Sequence, residues 1–214
     1  MNKMSSDDKD ILKELRDIQK NRECWKTNID DVASKLSENY SIEIKAKALW
    51  LLGEMGLKYP AEIECHIEKI ASYLNNTNAK LRERSANAIG RICRANKNLI
   101  TPHLEKLMEM RYDESENVRH AFIWACENIA SNAPEMFCEK LEIFYDMISD
   151  SSEKVRIESP EMFRVIGKQK PDYVIPYLEK LECIAENDEN STVRIHCSGA
   201  VRITKNALKK HQNS

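Results

Sequence analysis

The sequence predicts an all-α protein, a right-handed α-solenoid of about five helical hairpins plus a closing helix. Three observations carry that expectation. The dipeptides Ile44-Lys45, Leu81-Arg82, Val118-Arg119, Val155-Arg156 and Val193-Arg194 recur at spacings of 37, 37, 37 and 38 residues. Within each repeat the apolar residues follow helical spacing. Gly 5 and Pro 6 in 214 residues are too few for the turns of an all-β chain.

Counting from the apolar residue of each dipeptide, other columns align. Position +8 holds Leu52, Ile89, Cys126, Phe163 and Val201, and position +11 holds Met55, Ile92, Ile129, Ile166 and Thr204. Small residues, Gly56, Cys93, Ala130 and Gly167, occupy +12, where two helices can approach closely. Position +23 holds Ile67, Leu104, Leu141 and Leu178, and +26 holds Ile70, Leu107, Phe144 and Leu181. Each repeat therefore predicts two amphipathic helices, A and B. Pro60, Pro134 and Pro171 share the position where B should open, since proline suits a first helical turn. Pro102 and Pro176 lie closer to the packed face, and the regular part of B is expected to start there.

The units run approximately 7–38, 41–75, 78–112, 115–149, 152–187 and 190–208. The first is recognised because Ile29-Asp30-Asp31-Val32-Ala33 matches Ile67-Glu68-Lys69-Ile70-Ala71, with Ile11, Leu12, Leu15 and Ile18 on the preceding helix. The last is an A helix alone, which makes eleven helices. In the fifth unit Pro160 falls inside helix A, where proline costs about 3 kcal/mol. A kink or split is expected, with Ser159 capping a fresh start. Each hairpin buries its stripe only against its neighbours, so one continuous repeat domain is expected.

These residues resemble the HEAT repeat family, including the HEAT-like repeats of phycobilisome lyases. The resemblance rests on Asp-x5-Arg across repeat junctions (Asp113 with Arg119, Asp150 with Arg156, Asp188 with Arg194) and on Asn76 with Arg82 and Asn39 with Lys45. It rests also on Val-Arg followed by small residues, and on Leu-Glu-Lys-Leu at 104–107 and 178–181. The resemblance implies that the Asp/Asn and Lys/Arg columns form a ladder linking successive repeats, and that B helices line a concave face.

Function is less legible. The net charge of -2 argues against a globally basic nucleic-acid binder. No phosphate-binding loop, zinc-protease motif or nucleophile elbow occurs, and the five histidines are scattered, so no enzyme, cofactor or metal is expected. Cys65-His66 and His196-Cys197 are adjacent pairs, which on a helix point about 100° apart and rarely share one ion. The seven cysteines read as reduced, mostly buried thiols, and no apolar stretch reads as a signal or a membrane span, so a cytoplasmic location is expected.

Two surfaces are candidates for a partner. Position +24 is acidic in all five hairpins, Asp30, Glu68, Glu105, Glu142 and Glu179, with Glu109 and Asp146 one turn on. This stripe is either a solvated face or a site for a basic segment of another protein. Trp50 and Trp124 share position +6 and should face outward, either as lids or as an apolar contact patch. The expected role is a protein-interaction scaffold or adaptor. The alternatives are a HEAT-like DNA alkylation repair glycosylase, against which the acidic column argues, and a chromophore lyase, which rests on repeat similarity alone.

Overall fold

The computed structural model describes residues 5–212. Among them every regular element is helical, and no strand occurs. The chain divides into two compact units, Met1–Ala125 and Cys126–Ser214.

In the first unit, helix α1 (Ser6–Lys20) is capped by Ser5, whose hydroxyl accepts from the Asp8 amide at 3.1 Å, and buries Leu12, Leu15 and Ile18. Its partner α2 (Trp25–Ser34) buries Trp25, Ile29 and Val32. The second hairpin pairs α3 (Ile42–Lys58) with α4 (Pro60–Ile63) and α5 (Ile67–Ser72). The third pairs α6 (Ala79–Ala95) with α7 (Leu104–Glu109), and α8 (Glu116–Ala130) begins the fourth. The A helices touch where glycine removes the side chain. A Cβ on Gly53 would stand 2.8 Å from the Ala88 Cα, and one on Gly90 would stand 2.6 Å from the Ala125 Cα.

In the second unit the rest of α8 is followed by α9 (Leu141–Met147), α10 (Glu153–Glu158), α11 (Pro160–Gln169), α12 (Leu178–Asn187) and α13 (Ser191–Gln212). Phe137, Phe144, Phe163, Ile129 and Ile166 form its buried centre. Gly167 lets α13 approach, since its Cβ would lie 2.0 Å from the Thr204 hydroxyl.

Three expectations need correction. The eleven expected helices are thirteen α segments among the described residues, because the B helix of the second hairpin and the A helix at Pro160 are each divided. Helix B does not settle at Pro102 or Pro176. Both prolines lie inside 3-10 stretches, Lys97–His103 and Pro171–Tyr177, and α geometry begins at Leu104 and Leu178. Ile67 and Leu141 likewise follow 3-10 segments, so the +23 column opens the last α segment in all four of these B helices, although the second also has the short α4 before it. Proline lacks the amide donor and crowds the carbonyl four residues back, so neither the Pro102 nor the Pro176 ring can continue a regular α ladder from the turn. Finally, Ser159 does not cap. It keeps helical dihedrals (φ -53, ψ -42), its amide still bonds to the Val155 carbonyl at 3.0 Å, and its hydroxyl is buried without a partner. The backbone passes through the break in helical form, and Pro160 begins α11.

The junction ladder is present. In the first unit the Arg82 guanidinium donates to both carboxylate oxygens of Asp113, at 2.6 and 2.8 Å, and to its own junction at the Asn76 carbonyl, 2.8 Å. Arg119 repeats the second contact on the Asp113 carbonyl at 2.8 Å. In the second unit Arg194 donates to the Asp188 carbonyl at 2.6 Å. The junction Asp or Asn side chain caps the amide two residues on, at Asn78, Ser115, Ser152 and Asn190. At the first junction Lys45 reaches the Glu38 carbonyl instead, at 3.3 Å.

Candidate functional site

All seven members of the acidic stripe are exposed. Their exposure follows from the fold: each +24 residue comes just after an apolar +23 residue that is buried (Ile29, Ile67, Leu141) or half-buried (Leu104, Leu178), so it turns to the outer side of its B segment. In the first unit Asp30 (on α2), Glu68 (on α5), Glu105 and Glu109 (on α7) lie on B segments. Two of them meet an imidazole from the following repeat. Asp30 accepts from or pairs with His66 Nε2 at 2.7 Å, yet its side chain stays 90% exposed. Glu68 lies 3.3 Å from His103 Nε2, is 77% exposed, and is too poorly aligned for a hydrogen bond. In the second unit Glu142 and Asp146 (on α9) and Glu179 (on α12) are exposed. Tyr177 bonds to Glu142, and its phenol is pushed up to about 12, first by burial and then by that carboxylate.

Sequence reasoning missed these pairings. The residue before each α start forms its own column, His66, His103, Lys140 and Tyr177. That column carries a hydrogen-bonding side chain directly before the apolar +23 column, and it was the available signal. The structure also brings Asp30 to the pair Cys65-His66, which adjacency alone had set aside. Donor atoms of Asp30, Cys65 and His66 lie within 4.8 Å of one another and could hold a metal ion. His66 ends the 3-10 segment Glu64–His66, where the angle between successive side chains differs from that of an α-helix.

The two tryptophans are not bare. Trp50 and Trp124 are half-buried, and each ring carries a cation on one face. The Lys47 ammonium lies 4.4 Å from the Trp50 ring centre, and the Arg91 guanidinium lies 4.3 Å from that of Trp124. Arg91 is also ion-paired with Glu54. Burial holds the Arg91 guanidinium below its ordinary value despite that partner. Beside Trp50 a groove of about 470 Å³ is lined by Leu12, Arg16, Glu43, Ala46, Lys47, Lys80 and Arg84. Burial lowers the Lys47 ammonium, and the charges of Arg16 and Arg84 lower it further.

The second unit has a contrasting cluster on its A helices. Glu127 on α8 is pushed up to about 7, chiefly by burial and then by the charges of Glu158 and Glu161. Arg164 stands 3.5 Å away and opposes the shift. Glu161 in turn meets Arg164 and, at 2.9 Å, His196. The free cysteines 93, 126, 138 and 197 are buried, whereas Cys65 and Cys183 are exposed. Among the described residues no helix is long and apolar enough to cross a membrane.

Residues 10–204 match the profile of the family described as sister chromatid cohesion protein PDS5 protein. The chain belongs to the PDS5 family. Solved structures share its fold at low identity. An engineered protein aligns with a TM-score of 0.71 at 19% identity, covering 95% of this chain and 100% of its own. A designed armadillo repeat protein in complex with the peptide (KR)4 aligns with a TM-score of 0.69 at 19% identity, covering 94% and 95%. A computationally designed armadillo repeat protein for modular peptide recognition aligns with a TM-score of 0.62 at 18% identity, covering 87% and 85%. This PDS5-family chain is thus an α-solenoid of the armadillo and HEAT type. No curated protein matches it.

Proposed function

We propose that this chain is a non-catalytic scaffold that binds other proteins, and that its acidic B-helix column receives a basic segment. One observation carries the proposal: every hairpin places one exposed carboxylate at the same position, Asp30, Glu68, Glu105, Glu142 or Glu179. Within each unit, a carboxylate repeated once per hairpin matches an extended chain whose cations also recur. The likeness to a designed armadillo protein in complex with (KR)4 supports this reading, as does family membership. The His66 imidazole bonds to Asp30 and His103 lies beside Glu68, and both carboxylates remain exposed.

The experiment replaces Glu68, Glu105, Glu142 and Glu179 together by Gln and measures binding of labelled (KR)4 by fluorescence anisotropy. Each exposed pair contributes about 0–1 kcal/mol, so the four together should lower affinity by roughly one to two orders of magnitude. Binding by the unaltered chain should weaken as salt rises. A quadruple variant that folds and binds (KR)4 equally would refute the assignment. So would a duplex-DNA complex that survives about 200 mM salt.

A further inference from the structure

The groove beside Trp50 has the opposite charge from the acidic column and lies on the A helices of the first unit. We propose that it is a second docking site, independent of the acidic column, for an acidic segment of a partner protein.

Four cations from three helices surround this groove: Arg16 from α1, Lys47 from α3, and Lys80 and Arg84 from α6. Glu43 is the one carboxylate among the lining residues. Arg16 and Lys80 are exposed and make no ion pair among the described residues, and Arg84 has only Glu83 at 3.8 Å. Charges gathered in this way repel one another. The lowered proton affinity of Lys47, caused partly by Arg16 and Arg84, is a symptom of that repulsion. A bound anion would relieve it, and a groove with no anion of its own beyond Glu43 leaves that relief to a partner.

The chemistry favours carboxylates on a polypeptide over a nucleic-acid backbone. Arg16 and Arg84 present planar forks that suit bidentate carboxylates. Leu12, Ala46 and Trp50 give the groove an apolar floor, which suits an aliphatic neighbour of an acidic residue. Binding of single strands relies on aromatic platforms for bases. Here Lys47 already occupies one face of the Trp50 ring, and Arg91 one face of Trp124. Glu43 would also oppose an evenly charged phosphate chain, whereas a peptide can place a neutral residue beside it.

The test uses the full chain and a fluorescein-labelled octapeptide of alternating Asp and Glu. Anisotropy should show saturable binding that weakens between about 50 and 200 mM salt. The double variant Arg16→Glu, Lys80→Glu should lose at least about tenfold in affinity, because two attractions become repulsions. Both side chains are exposed, so the helices should be undisturbed, and circular dichroism checks this. If the double variant misfolds, Arg16→Gln alone should cost about threefold. The variant Asp30→Asn, Glu68→Gln should bind the acidic peptide as well as the unaltered chain does, which separates this site from the acidic column. Three results would overturn the proposal: unchanged binding by a folded charge-reversed variant, tighter binding of a single-stranded oligonucleotide of equal charge, or concentration-dependent self-association that excludes the peptide.

Discussion

Replacing Glu127 by Gln should make the protein more stable above neutral pH and change it far less near pH 5. The folded state holds this carboxyl at about 7, against 4.5 as its ordinary value, because burial and the charges of Glu158 and Glu161 disfavour the anion. A group raised in this way contributes stability that is full below the unfolded value and is lost as pH rises through the folded one. The rise corresponds to roughly 3 kcal/mol at about 1.4 kcal/mol per tenfold change in proton affinity. The side chain is 20% exposed and Arg164 lies 3.5 Å away, so screening brings the expected effect to about 1–3 kcal/mol. Gln keeps the volume and can donate to Glu158 as the protonated acid does. The assay is urea unfolding followed by circular dichroism for both proteins from about pH 5 to about pH 8.5. With a slope of about 2 kcal/mol per molar urea, the midpoints should separate by roughly 0.5–1.5 M at the alkaline end. A gap that does not grow with pH, or a variant weaker than the parent at high pH, would show that the Arg164 attraction outweighs burial.

Two further outcomes are expected. Arg82→Ala leaves the Asp113 carboxylate, only 10% exposed, without its bidentate partner. It should cost about 3–5 kcal/mol, read as a lowered thermal midpoint, and Arg82→Lys should recover only part of it. Deleting α13 removes the helix packed on α11 and α12 and its buried residues Val193, Cys197, Ala200 and Thr204. The shortened chain should aggregate, seen by light scattering, whereas a soluble and equally stable product would count against the packing argument.

Much of the fold was legible because its determinants recur. The small residues at +12 and the junction arginines repeat at one period, and the close approaches at Gly56 and Gly167 and the carbonyl contacts of Arg82, Arg119 and Arg194 are what that period implied. The winding of the B helices was not legible. Proline at 102 or 176 is compatible with either a first α turn or a 3-10 turn, and the local sequence does not distinguish the two. Ser159 could have capped a new helix, but burial kept its backbone helical. The acidic stripe was visible as a column, while its imidazole partners lay one repeat away. The groove beside Trp50 was hidden for a different reason. Its cations come from separate helices, and the column shared by Lys47 and Arg84 changes to Ala121 and Glu158 further along.

That change of character reaches beyond any one site. In the first unit Gly53 and Gly90 let neighbouring A helices meet backbone to backbone. The same column continues as Glu127 and Arg164, which face each other as charges. A repeat cut from one place and grafted into another would put a carboxylate or guanidinium where no Cβ fits, or leave a buried ion without its mate. The repeats look interchangeable by their apolar columns, yet they are keyed to their own addresses. Shuffled or consensus versions of this chain should therefore keep helix content while losing cooperative assembly, unless the ninth position is exchanged together with its neighbour.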